Sequence, residues 1–188
     1  MFFNLPTLLT WARIVAIPLV VGVYYLNLAP QTQNIVGTGL FILFALTDWA
    51  DGWLARKLQM TSSFGAFLDP VADKFLVTAA LLVLVHLGRL HAFIALVIIG
   101  REIAISALRE WMAQIGRSKS VAVNMAGKFK TVAQLVAIPF LLFDDVLFGL
   151  FHTRPVGAVL IWLAAGITLW SMVVYLKAAW ATGALNEK

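Results

Sequence analysis

The chain has 188 residues, of which 62% are hydrophobic and 12% charged, with a mean hydropathy of +0.92. A soluble domain carries roughly a quarter charged residues, so the composition excludes an ordinary soluble domain and points to an integral membrane protein. The net charge of +5 fits basic loops facing anionic lipid headgroups better than a nucleic-acid surface, and the absence of cysteine excludes disulfides, thiol catalysis and thiolate metal sites.

In lipid a backbone must satisfy its own polar groups, which long apolar runs do as helices. An interfacial lead-in comes first. Phe2, Phe3 and Leu5 suit the headgroup layer, and Asn4 can cap a helix with Pro6 in its early turn. The start MFFNLPTLLTWAR has no basic leader and no small-residue cleavage site, so the first helix is expected to remain as a span. Six spans are predicted in chain order: about Leu9 to Leu28, Ile35 to Leu54, Pro70 to Leu87, Ala92 to Met112, Met125 to Phe143 and Val156 to Trp180. The links are NLAPQTQN, the acidic stretch after Leu54, GRLH, QIGRSKSVAVN and DDVLFGLFHTRP. The expectation is an all-α bundle of six transmembrane helices forming one membrane-embedded domain over residues 1–188, with no repeat and no second domain.

Basic residues are distributed unevenly. Arg56, Lys57 and Lys74 lie in or beside the second-to-third link, Arg109, Arg117, Lys119, Lys128 and Lys130 in the fourth-to-fifth region including the adjoining span ends, and Lys177 and Lys188 at the tail. The other links hold only Arg89 and Arg154, with Asp144 and Asp145. By the positive-inside rule both termini and the acidic stretch face the cytoplasm, and an even number of spans agrees in placing both termini on one side. His86, His91 and His152 then fall on the far side and are not read as ligands. Asp144 and Asp145 are expected to be solvated there, and the seven tryptophans and three tyrosines to be interfacial or packing residues.

The chemistry lies in TDWADGWLARKLQMTSSFGAFLDPVADK, Thr47 to Lys74. Asp48 and Asp51 are three residues apart, Asp69 and Asp73 four, and on helices both spacings put a pair on one face. Pro70 suggests a helix start with Asp69 near its cap. Four converging carboxylates repel one another unless something neutralises them. Lysines and arginines do part of this; hard divalent cations with oxygen ligands do it better, and Mg²⁺ characteristically combines carboxylates with substrate phosphates. Solvated or Lys-paired aspartates would suffice for one carboxylate, but four in two helical pairs beside a bilayer argue for function. Gly52 and Ala55 share a face with Asp48 and leave a gap beside the carboxylates. Arg56 can bind phosphate oxygens bidentately, and Gly65 gives the link backbone freedom.

These residues form D-x2-D-G-x2-A-R-x8-G-x3-D-x3-D without departure, and the chain thereby resembles the CDP-alcohol phosphotransferases. NLPTLLTWARIVAIP, GREIAISALREWMA and GKFKTVAQ resemble the bacterial branch that uses CDP-diacylglycerol and glycerol 3-phosphate, and the similarity runs nearly end to end. The resemblance implies an enzyme of the bacterial inner membrane in which an acceptor hydroxyl attacks the lipid-bearing phosphorus of CDP-diacylglycerol and CMP leaves. It implies that Asp48, Asp51, Asp69 and Asp73 hold two divalent cations, Mg²⁺ or Mn²⁺, and that Asp73 is the general base. It implies that Asp48, Gly52, Ala55, Arg56 and Gly65 form the CDP site, and that the protein is a homodimer among membrane lipids.

If the acceptor is glycerol 3-phosphate, a basic pocket should lie near the carboxylates. Arg101, Arg109 and Lys128 are the predicted phosphate ligands, with Lys130 a weaker candidate. The competing structural account pairs Arg101 or Arg109 with Glu102 or Glu110. For the loop residues Arg117 and Lys119 simple anchoring suffices. Arg13 carries no assigned role. Other readings are a divalent-cation transporter, disfavoured because the acids cluster at one end without a repeat, a prenyltransferase, and a transferase of the same family acting on serine, an inositol phosphate or phosphatidylglycerol.

Overall fold

The computed structural model describes residues 15, 17–58, 63–116 and 125–181; among these, the side chains of 48–58, 63–70, 73, 125–129, 178 and 181 lie outside the description. Helix α1 covers residues 17–22 and tightens into a 3₁₀ turn at Val23–Tyr25. Then follow α2 (Pro30–Leu58), α3 (Ser63–His86), α4 (Ala92–Gln114) and α5 (Met125–Phe143). A small antiparallel hairpin, β1 (Val146–Leu147) with β2 (Phe151–His152), leads into α6 (Thr153–Ala181). The expected order of helices is present, and α5 has the predicted bounds. Two local expectations change. Link five is a hairpin, turning through Phe148 and Gly149 at positive φ. Helix α3 begins seven residues before Pro70, so Asp69 lies inside the helix and does not cap it. The helix accommodates Pro70 because a proline removes one backbone donor and displaces one carbonyl, a local cost that neighbouring helices can compensate.

Helices α5 and α6 pack most extensively. Gly157 permits this: a Cβ there would stand 2.9 Å from the Leu141 side chain and 3.1 Å from its backbone nitrogen. Small residues let helix backbones approach in this way. The core joins Val20, Phe41, Leu81, Leu84, Ile98, Ile138, Leu141 and Ile161, which come from α1 to α6. A second cluster, Ile105, Met112, Tyr175 and Ala179, closes the seam between α4 and α6. Large apolar residues also face outward: Leu82, Leu96, Ile103, Val132, Trp162 and Trp170 are each more than half exposed. Among the described residues one segment, Thr153–Lys177, is long and apolar enough to cross a membrane; Lys74–His86 and Lys130–Phe143 are shorter apolar stretches.

At the end of the bundle away from the aspartates, the chain is held by Arg89. Gly88 at φ +66° reverses the chain after α3. The Arg89 guanidinium then donates to the Leu141 and Leu142 carbonyls at 3.3 and 2.7 Å and to Asn34 Oδ1 at 2.8 Å. Its Nε lies 3.0 Å from the Asp144 carboxylate. Asp144 is therefore ion-paired, contrary to the solvated state expected for it. Burial lowers the Arg89 pKa from its ordinary value, and Asp144 and Tyr24 oppose this. A cation on the last carbonyls of α5 also complements the helix dipole. Arg89→Ala is expected to destabilise the bundle by about 3 kcal/mol, since it strands an amide and helix-end carbonyls together and leaves Asp144 only the longer ion pair to Arg154 at 3.6 Å. A fall in the thermal midpoint in detergent, with unchanged KM values in the folded fraction, checks this.

Candidate functional site

Backbone geometry places the acidic motif on two helices. Asp48 and Asp51 lie near the C-terminal end of α2, Asp69 and Asp73 in the first half of α3. Both spacings fall on helical backbone, where residues three and four apart lie on one face. Gly52, Ala55 and Arg56 follow on α2, and Gly65 lies in the first turn of α3. The α2 and α3 helices contact one another. The side chains of Asp48, Asp51, Arg56, Asp69, Asp73 and Lys128 lie outside the described residues.

One residue beyond Asp73 the description resumes. Lys74 Nζ donates to Ser106 Oγ at 2.5 Å, and that hydroxyl donates to the Glu102 carbonyl at 2.7 Å. The acidic part of α3 is thereby joined to α4 beside the second half of the site. There, Arg101 is buried in the seam with α6. Its guanidinium donates to Glu102 Oε1 at 3.1 Å and to Ser171 Oγ at 2.8 Å. Ser171 in turn donates to the Thr168 carbonyl at 2.9 Å. Two turns further along α4, Arg109 donates to the Tyr175 hydroxyl at 3.0 Å. Both guanidiniums lie over the Tyr175 ring, 5.7 Å (Arg101) and 5.2 Å (Arg109) from its centre.

Lys130 of α5 is buried and ion-paired with Glu102. It enters the cluster, although the sequence favoured Lys128. A cavity of about 50 Å³ beside this pair is lined by Lys74, Thr78, Glu102, Lys130 and Gln134. By the space a water needs, that volume corresponds to roughly a few waters.

Among the described residues, Glu102 is the carboxylate that pairs with Arg101 and Lys130, and Arg109 lies two turns further along α4. The Nε–H groups of Arg101 and Arg109 are buried and have no hydrogen-bond partner among the described residues. The arrangement suits a phosphate group. The structural account proposed for Arg101 is also met, since it does pair with Glu102; Arg109 turns instead to Tyr175. Sequence reasoning missed Tyr175 and Ser171. Tyr175 falls among the aromatics expected to be interfacial or packing residues; it is buried, 3% exposed, and also bonds to Arg109. Thr168, Ser171 and Tyr175 recur at helical spacing inside an apolar run, and that polar stripe was the available signal. The histidines serve locally: His86 stacks on Tyr25 and His91 Nδ1 accepts the Phe93 amide at the start of α4.

The class of protein comes from comparison: the chain belongs to the CDP-alcohol phosphatidyltransferase family, whose profile matches residues 3–170. Its relatives include the CDP-diacylglycerol–glycerol-3-phosphate 3-phosphatidyltransferase of Salmonella typhimurium (strain LT2), 48% identical over 181 residues that cover 95% of this chain and 96% of the relative. The proteins of the same name from Shigella flexneri and Escherichia coli (strain K12) are 48% identical over 182 residues, with the same coverage.

Proposed function

We propose that this protein transfers the phosphatidyl group of CDP-diacylglycerol to glycerol 3-phosphate, forming phosphatidylglycerophosphate and CMP in anionic phospholipid synthesis. The observation that carries this reading is the 48% identity sustained over 95% of the chain to relatives bearing that name. The cationic seam of Arg101, Arg109 and Lys130 supports an anionic acceptor over serine.

Four carboxylates on two adjoining helices are a hard-oxygen donor set that fits divalent cations. Asp48, Asp51, Asp69 and Asp73 would hold them. When bound, Mg²⁺ or Mn²⁺ supplies charge neutralisation and polarisation of the diphosphate. The remaining work falls to the chain. Gly52, Ala55, Arg56 and Gly65 seat the CDP group. Arg101, Arg109 and Lys128, with Lys130 now joining them, hold the acceptor's phosphate. Asp73 takes the proton of the acceptor hydroxyl as its oxygen bonds to phosphorus and the bond to CMP breaks. A carboxylate is a weak base, and it serves here by position, in a reaction that depends mainly on alignment and charge stabilisation.

The protein would act as one multi-pass unit of the bacterial inner membrane, six spans with its termini and site toward the cytoplasm, as a homodimer. Outward apolar residues on α3 to α6 together with buried Arg101 and Lys130 support a lipid-facing bundle with a polar interior. Purified protein in detergent with Mg²⁺ and CDP-diacylglycerol is expected to release CMP with glycerol 3-phosphate, not with serine, inositol 1-phosphate or phosphatidylglycerol, and to stop on chelation. Release with a different acceptor would overturn the acceptor assignment, and chelator-insensitive release the role given to the aspartates.

A further inference from the structure

Tyr175 has no role in the reaction as set out above, yet it is the point at which the two arginines meet. Arg101 and Arg109 are eight residues apart, about 12 Å along the axis of α4. Their guanidiniums nevertheless both lie within 6 Å of one ring centre. Two like charges in a buried seam repel, and a free Arg109 side chain would turn toward water. The face of an aromatic ring attracts cations, and the Tyr175 hydroxyl accepts from Arg109 at 3.0 Å. Arg101 is fixed separately through Ser171. These bonds use terminal nitrogens and leave the buried Nε–H of each arginine unpartnered among the described residues. Two such donors, held in place before a ligand arrives, are what an anionic oxygen cluster requires.

We infer that Tyr175 is a positioning residue: its ring and hydroxyl hold Arg101 and Arg109 together in the orientation that receives the phosphate of the acceptor. This rests on the reading of those arginines as acceptor ligands. It assigns Tyr175 a share of acceptor affinity and none of the bond-making.

Steady-state kinetics of the full-length protein in detergent test it, with CDP-diacylglycerol and glycerol 3-phosphate varied in turn. Tyr175→Leu removes ring face and hydroxyl and is expected to raise the KM for glycerol 3-phosphate about twentyfold, as loss of a cation–ring contact and a charged hydrogen bond implies. The lipid KM should stay within about twofold of its starting value, this being the variation expected where no contact is lost. Tyr175→Phe keeps the ring and is expected to recover much of the loss, leaving a rise of about fivefold for the hydrogen bond alone. Should Tyr175→Leu fail to fold, Tyr175→Phe decides by the same acceptor-specific rise. If the Tyr175 variants lower thermal stability or kcat but leave the acceptor KM unchanged, while Arg101→Ala raises it, Tyr175 only packs and the inference is overturned with the pocket intact. If Arg101→Ala also leaves the acceptor KM unchanged, the pocket reading itself fails and takes this inference with it.

Discussion

Asp73→Asn is expected to lower the turnover of CMP release about a thousandfold, within the range attributed to a positioned general base. The substitution is close to isosteric and keeps an oxygen that can face a cation. It removes the negative charge and the capacity to accept a proton. Binding of CDP-diacylglycerol should therefore remain detectable, because the nucleotide contacts assigned to Gly52, Ala55, Arg56 and Gly65 are untouched. The contrast with Asp48→Asn is informative: that residue is assigned to both metal and CDP, so its loss should weaken donor binding as well as turnover. A titration of labelled CDP-diacylglycerol alongside the rate assay separates the two. Normal turnover in Asp73→Asn would remove this residue as the base and leave the proton to another group.

The second large effect concerns the acceptor. Arg101→Ala is expected to raise the KM for glycerol 3-phosphate by about fiftyfold, equivalent to the 2–3 kcal/mol of a charge-assisted hydrogen bond to phosphate. The lipid KM should change little. Arg101 also donates to Ser171 and Glu102, so its removal raises the question of collapse. Glu102 keeps Lys130 and Ser171 keeps the Thr168 carbonyl, so neither partner is stranded by the substitution. Arg101→Lys is the sharper control. It preserves charge but not the planar fork that reaches two partners at once, and it should restore only a small part of the acceptor affinity. An acceptor KM unaffected by both variants would move the phosphate site away from the α4–α6 seam.

The helical placement of the acidic motif on α2 and α3 was legible in the sequence because its information is local. Residues three and four apart share a face on any helix, so both aspartate pairs could be read without knowing what packs where. Gly52, Ala55 and Arg56 extend the same reading. What failed locally was the start of α3. A proline marks helix beginnings well but not exclusively, and here α3 begins at Ser63.

By itself the sequence determined an all-helical, strongly apolar chain, the order of its helices, the acidic motif and, through it, the family. It also marked Arg101 as too costly to bury without a purpose. Only the tertiary structure decided how the cations are grouped. Arg101 meets Ser171 and Arg109 meets Tyr175 across 70 and 66 residues of chain, and Lys130 reaches Glu102 from a third helix. Such contacts depend on how α4, α5 and α6 are rotated and how far they slide past one another. Packing sets those quantities, and no periodicity along a single helix encodes them. Tyr175 therefore read as one more aromatic in an apolar run until α4 was laid against α6.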